Sequence, residues 1–235
     1  MLRYRVHGAL DETGYVEVGK FIAACITQCL QNHDVALENR TILDFACGPG
    51  RIASELKKIV PSCHLYGSDI DREAIHWAQK YLPCVANFTT NEPSPPTQYT
   101  DDHFDVIYNI SLFTHLDETS QNVWLAELAR ILKPGGTLVT TIHGRFTLAS
   151  CTANELKKLN DRGIMYRIGR KGRFKLDGLP DFYQTTFHTR EYIARAWTRF
   201  FEVVDHIEGG LGGSHDLVVL RRSKKAMCGG STPRK

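Results

Sequence analysis

Apolar positions along this chain switch between two spacings. Val16–Leu30 (VEVGKFIAACITQCL) repeats them at the helical period, which predicts a helix with one buried face. Thr41–Phe45 (TILDF) is a short apolar run closing on an acid, as in a buried parallel strand reaching the carboxyl edge of its sheet. From Arg51 the pattern is helical again, and Cys63–Asp69 (CHLYGSD) reads as a second strand with an acid at its tip. Asp71 suits the N-cap of a helix over Arg72–Tyr81, and Val85–Thr89 reads as a third strand. Three prolines mark the 91–100 interval as a loop before a fourth strand, Phe104–Asn109. Asp117–Leu132 is amphipathic, and Lys133-Pro134-Gly135-Gly136 is expected to stop it ahead of a fifth strand, Thr137–Ile142. Thr189 can cap Arg190–Arg199, and the runs Phe201–Ile207 and Asp216–Arg221, joined by EGGLGGSH, read as a closing hairpin.

The stretch TILDFACGPGRI carries the first chemistry. Gly48 and Gly50 open backbone angles closed to residues with a Cβ and let a ligand approach the main chain. The loop delivers that ligand to a helix N-terminus. Asp69, at the second strand tip, is placed to accept hydrogen bonds from a ribose diol. Together these make a nucleoside-cofactor site. Read literally, Gly48 to Ala53 also satisfies G-x-G-x-x-A, the dinucleotide fingerprint. Asp44 shifts the balance, because a carboxylate there suits the ammonium of an amino-acid cofactor and would face a pyrophosphate badly.

Two further stretches, FDVIYNISLFTHL and LARILKPGGTLVTTIHG, complete a resemblance to the class I S-adenosylmethionine-dependent methyltransferases, running from about Val6 to Arg222. The loop is similar to that family's (D/E)-x-G-x-G-x-G motif, with Ala46 where the first glycine is usual. The resemblance implies a Rossmann-like α/β fold: a doubly wound, seven-stranded sheet, mostly parallel with an antiparallel last strand and helices on both faces. It implies S-adenosyl-L-methionine as cofactor, with Asp44, Ala46, Gly48 and Gly50 on the methionine side and Asp69 on the ribose. It also implies Ile70 beside adenine, Asn91 near its amine, and the Asn109 backbone at the ammonium. The N-I-S-L run from Asn109 lacks the (D/N)-P-P-(Y/F) pattern of amide and exocyclic-amine methyltransferases, which counts against that class.

The acceptor is harder to read. Residues 145–187 break the alternation, and between Lys157 and Lys175 eight Lys/Arg face one acid, Asp161. Such an insertion after the fifth strand is expected at the carboxyl edge, either as a solvated basic loop or as a lid favouring an anionic acceptor. Histidine is the natural general base for a hydroxyl acceptor. Of ten histidines, His143 and His188 are the catalytic candidates, while His115, Tyr183, Gln184 and His215 are expected to line the acceptor pocket. The lead reading is O- or N-methylation of a small molecule, such as an anionic metabolite, a sugar or a natural-product intermediate. An RNA methyltransferase and a non-catalytic cofactor-binding regulator stay open beside it. A net charge of +3 and the lack of a recognisable RNA-binding appendage disfavour nucleic acid.

At 235 residues and 42% apolar content, one domain over 1–222 is expected, followed by a basic, disordered tail over 223–235. Seven scattered cysteines without paired C-x-x-C spacing fit reduced thiols in a cytoplasmic protein, and no metal is expected. No run approaches a membrane span. Oligomeric state is not legible.

Overall fold

Strand β1 (Thr41–Phe45) is buried at every position after Thr41 because both faces of the sheet are covered. The computed structural model describes residues 12–169 and 180–224. β1 pairs in parallel with β2 (His64–Asp69) and β4 (Phe104–Asn109), and β2 with β3 (Asn87–Thr90). β5 (Leu132–His143) lies parallel to β4. β9 (His215–Arg221) runs antiparallel to β5, and β8 (Glu202–Leu211) antiparallel to β9. The order is β3-β2-β1-β4-β5-β9-β8, so the seven-stranded sheet with an antiparallel last strand is present.

The two-residue strand period sends neighbouring apolar residues to opposite sides. Ile42, Val106, Val139 and Val219 pack with Ile26 of α1 (Glu12–Asn32), Leu56 of α2 (Arg51–Ile59) and Ile75 of α3 (Arg72–Tyr81). Leu43, Ile107, Leu138 and Val218 pack on the other face with Leu128 of α4 (Glu118–Ile131), Ile193 of α7 (Arg190–Ala196) and Trp197. Two short helices, α5 (Arg145–Leu148) and α6 (Ala153–Arg162), precede a separate antiparallel pair, β6 (Ile164–Arg167) and β7 (Thr185–His188). Among the described residues no helix is long and apolar enough to cross a membrane.

The expected caps form. Asp71 accepts from the amides of Glu73 and Ala74, Asp117 from Ser120, and Thr189 from Tyr192. The Lys133–Gly136 turn differs from expectation. The helix stops at Ile131 and the chain passes directly into β5, with Leu132 already paired to Phe104. The register then jumps to Val106–Thr137, so these residues form a bulge inside a strand. Gly135 takes a φ of 80°, and a Cβ on Gly136 would lie 2.9 Å from the Asp105 carbonyl, which is why glycine serves there. The third strand begins at Asn87, later than expected, and the first helix starts at Glu12. Residues 170–179, which hold four of the eight basic residues of the insertion, and the tail from 225 lie outside the described residues.

Candidate active site

The loop between β1 and α2 is stitched to the tip of β2. Ala46 and Cys47 both donate their amides to the Ser68 carbonyl, at 2.7 and 3.1 Å. Gly48 donates to Asp69 Oδ2 at 2.7 Å, and Asp71 to Asp69 Oδ1 at 2.8 Å. Asp69 therefore fastens the glycine bend as well as the following turn. Burial raises its pKa, opposed by these amides. A carboxylate has about four acceptor positions, so these amides do not exhaust it. Gly50 caps α2 at φ 79°, where a Cβ would meet the Phe88 ring at 2.8 Å. Ala46 holds a φ of 64°, the conformation that explains the family's usual glycine at this position.

Asp44 lies behind the bend, 1% exposed, and its Oδ2 has no hydrogen-bond partner. Burial pushes its pKa up to about 7, against the pull of the nearby Tyr108 hydroxyl and the Ala53 amide. Beside it on β4, Asn109 is fully buried; its Oδ1 accepts from Thr140 at 2.6 Å while its Nδ2 is unpartnered. An orphaned carboxylate oxygen suits a cationic group, and its cost is relieved when one binds. Asn91 stands next to Asp69, donating its amide to the Asp69 carbonyl, but its side chain is committed to Ser68 and the Glu92 carbonyl. Ile70 is half-buried at the same tip. On the outer side, α1 crosses α2, with the Arg51 guanidinium 5.1 Å from the Tyr15 ring.

The residues expected to line the acceptor pocket gather in part at the ends of β4, β5 and β9. The β5–β9 register sets His143 against His215, with ring centroids 5.4 Å apart. His115 lies 6.1 Å from His143 and stacks on Tyr183 at 4.0 Å. Tyr183 donates its hydroxyl to the Ser111 carbonyl at 3.0 Å, and Ser111 Oγ is 3.4 Å from His215 Nε2. Ser111 holds a φ of 59°, anchored by its amide on Thr141 Oγ1. Nothing in N-I-S-L announces that strained serine; the sequence reading missed it.

His143 Nδ1 lies 2.9 Å from the Thr186 carbonyl. Only a protonated nitrogen bonds a carbonyl, so in the neutral ring Nε2 carries the lone pair. Burial lowers the pKa of His143 and takes that of His215 down to about 4. Gln184 turns inward, bridging the Gly169 amide and the Asp181 carbonyl, so it ties the insertion together. His188 does not join the cluster. It points from β7 to the side opposite Phe187, the residue that meets His143 at 5.1 Å. Its Nε2 bonds Gln121 Oε1 at 2.9 Å; Nδ1 is sealed without a partner, and burial takes its pKa down to about 3. Arg167, one of the basic residues of the insertion, pairs with Glu155 at 2.7 Å.

This sheet order places a glycine bend beside an acidic strand tip, with an orphaned carboxylate behind it, at the carboxyl edge. Residues 42–136 match the methyltransferase domain family. A solved S-adenosylmethionine-dependent methyltransferase from Methanosarcina mazei superposes with a TM-score of 0.59 at 19% identity, over 83% of this chain and 98% of that one, which shows a shared fold. The fatty-acid O-methyltransferase of Mycolicibacterium smegmatis is 24% identical over 151 residues, 61% of this chain and 53% of its own. The malonyl-(acyl-carrier protein) O-methyltransferase of Hahella chejuensis is 26% identical over 117 residues, 50% of this chain and 39% of its own. The chain spans about half the length, or less, of the curated relatives it matches. Over residues 42–136 the chain is similar to the methyltransferase domain family, and its fold is shared with solved S-adenosylmethionine-dependent methyltransferases.

Proposed function

We propose that this chain methylates an oxygen of a small organic acceptor, with His143 as general base. The tautomer of His143 carries the proposal: Thr186 holds Nδ1–H, leaving Nε2 to take the acceptor proton as the oxygen–methyl bond forms. When bound, the cofactor supplies a methyl group activated by its sulfonium. Asp44, Ala46, Gly48, Gly50 and the Asn109 backbone would hold its methionine end, and Asp69, Ile70 and Asn91 its nucleoside. Positioning contributes most of the acceleration, since aligned reactants recover up to about 7–11 kcal/mol. In this reading residues 145–187 serve as the acceptor-side lid of a single domain over 1–222. His115, Tyr183 and His215 line the pocket, and Gln184 and His188 support it from behind.

A second reading, methylation of a carboxylate, draws support from the names of the two relatives, each an O-methyltransferase. A carboxylate needs no base, so one variant separates the two. For a hydroxyl acceptor, His143→Ala lowers kcat by about 10²–10⁴. For a carboxylate acceptor it leaves kcat near wild type. Transfer of label from the methyl-labelled cofactor to matched alcohol and acid panels gives the answer, and transfer to nitrogen alone contradicts both.

A further inference from the structure

Two aromatic rings stand exposed beside the β8–β9 turn, at the carboxyl edge of the sheet. Phe146, on α5, is 73% exposed and Phe21, on α1, is 49% exposed. They flank neighbouring residues of the β8–β9 turn: a Cβ on Gly212 would lie 3.4 Å from the Phe21 ring, and one on Gly213 would lie 3.3 Å from the Phe146 ring. Both glycines take positive φ, 63° and 76°, so the turn passes between the rings with no side chain of its own at these positions.

This corner is continuous with the reacting centre. His215, the first residue of β9, pairs with His143, and Gly144 donates its amide to the Ser214 carbonyl at 3.2 Å. Thr147 Oγ1 reaches the same carbonyl at 2.8 Å, which locks α5 and Phe146 onto the turn. From the other side, α1 spans from the cofactor loop, where Gly19 presses on Arg51, to the turn at Phe21. Burial disfavours the charged forms of His143 and His215 on the inner wall.

We infer that Phe21, Phe146 and the glycine turn form an apolar mouth that grips the hydrocarbon part of an amphipathic acceptor, whose oxygen then reaches His143. The inference rests on the oxygen-methylation reading and names its substrate class: an alkyl chain ending in a hydroxyl or carboxyl. Each methylene taken from water into such a mouth tightens binding by up to about fourfold.

The test titrates linear alcohols from butan-1-ol to decan-1-ol, with the matched fatty acids, into the protein saturated with S-adenosylhomocysteine. The expected result is affinity that rises two- to fourfold per methylene. Phe21→Ala and Phe146→Ala then weaken decan-1-ol about tenfold, leave butan-1-ol unchanged, and leave S-adenosylhomocysteine affinity unchanged. Chain-length dependence that survives in both variants overturns the mouth. So does the absence of alkyl binding in protein that still binds S-adenosylhomocysteine. Self-association that vanishes in the variants, with no alkyl binding, overturns it in favour of a contact between copies. Length-dependent binding without transfer to any oxygen upholds the mouth and sinks the oxygen-methylation reading; transfer without length dependence does the reverse.

Discussion

Asp44 concentrates the conflict between folding and function in one side chain. Its carboxyl titrates near 3.8 when free and about 7 when buried, so the folded chain binds more protons between those values. Stability of the cofactor-free protein therefore falls as pH rises from about 4 to 7. Asp44→Asn should remove that slope and raise stability at pH 8 by about 2 kcal/mol, less than the shift alone implies because an amide must then be buried. The same change should weaken the cofactor at least tenfold by deleting the charge that meets its ammonium, at about 1.5–3 kcal/mol for such a bond. Denaturation and cofactor titration on one variant check both signs. His143 behaves differently: because burial lowers its pKa, kcat for a hydroxyl acceptor should stay level down through the ordinary histidine range and fall only below it.

At the scale of elements, the hairpin and the insertion hold the proposed acceptor wall in place. A Cβ on Gly144 would collide with Asp216 Oδ1, which accepts from the Gly209 amide, while Oδ2 pairs with His206. Gly144→Ala should therefore shift the β8–β9 turn, cost about 1–3 kcal/mol, and raise acceptor KM more than cofactor Kd. β7 contributes a second device. His188 is neutral in the fold but protonates in the unfolded chain, so stability rises with pH from about 3 to 6.5. That sign is opposite to the one for Asp44 over the shared range, and variants separate them. His188→Gln should lower the stability slope in this window by about 1.4 kcal/mol per pH unit, the equivalent of one proton, read from denaturant midpoints.

For the whole molecule, the sheet was legible wherever burial imposed a short period: β1, β2 and β4 stand within a residue of their expected bounds. Asp69 and the glycine bend were legible because strand tips and positive φ leave a mark in residue type. The bulge at Lys133–Gly136 was misread as a plain stop, since Pro and Gly punctuate both. The strained Ser111 left no mark, and neither did the choice between His143 and His188, which depends on which side of β7 a residue falls. That Gln184 spends its amide on the backbone is a matter of three-dimensional partners alone.

In the proposed function, the crevice between the tips of β1 and β2 binds an adenosyl amino acid. Calorimetric titration of S-adenosylhomocysteine into wild type and Asp69→Ala tests it most directly. One site per chain is predicted, with the variant weaker by about 2–3 kcal/mol for the lost diol contact and loosened bend. No binding to wild type, equal affinity in the variant, or preference for a nicotinamide dinucleotide would contradict it.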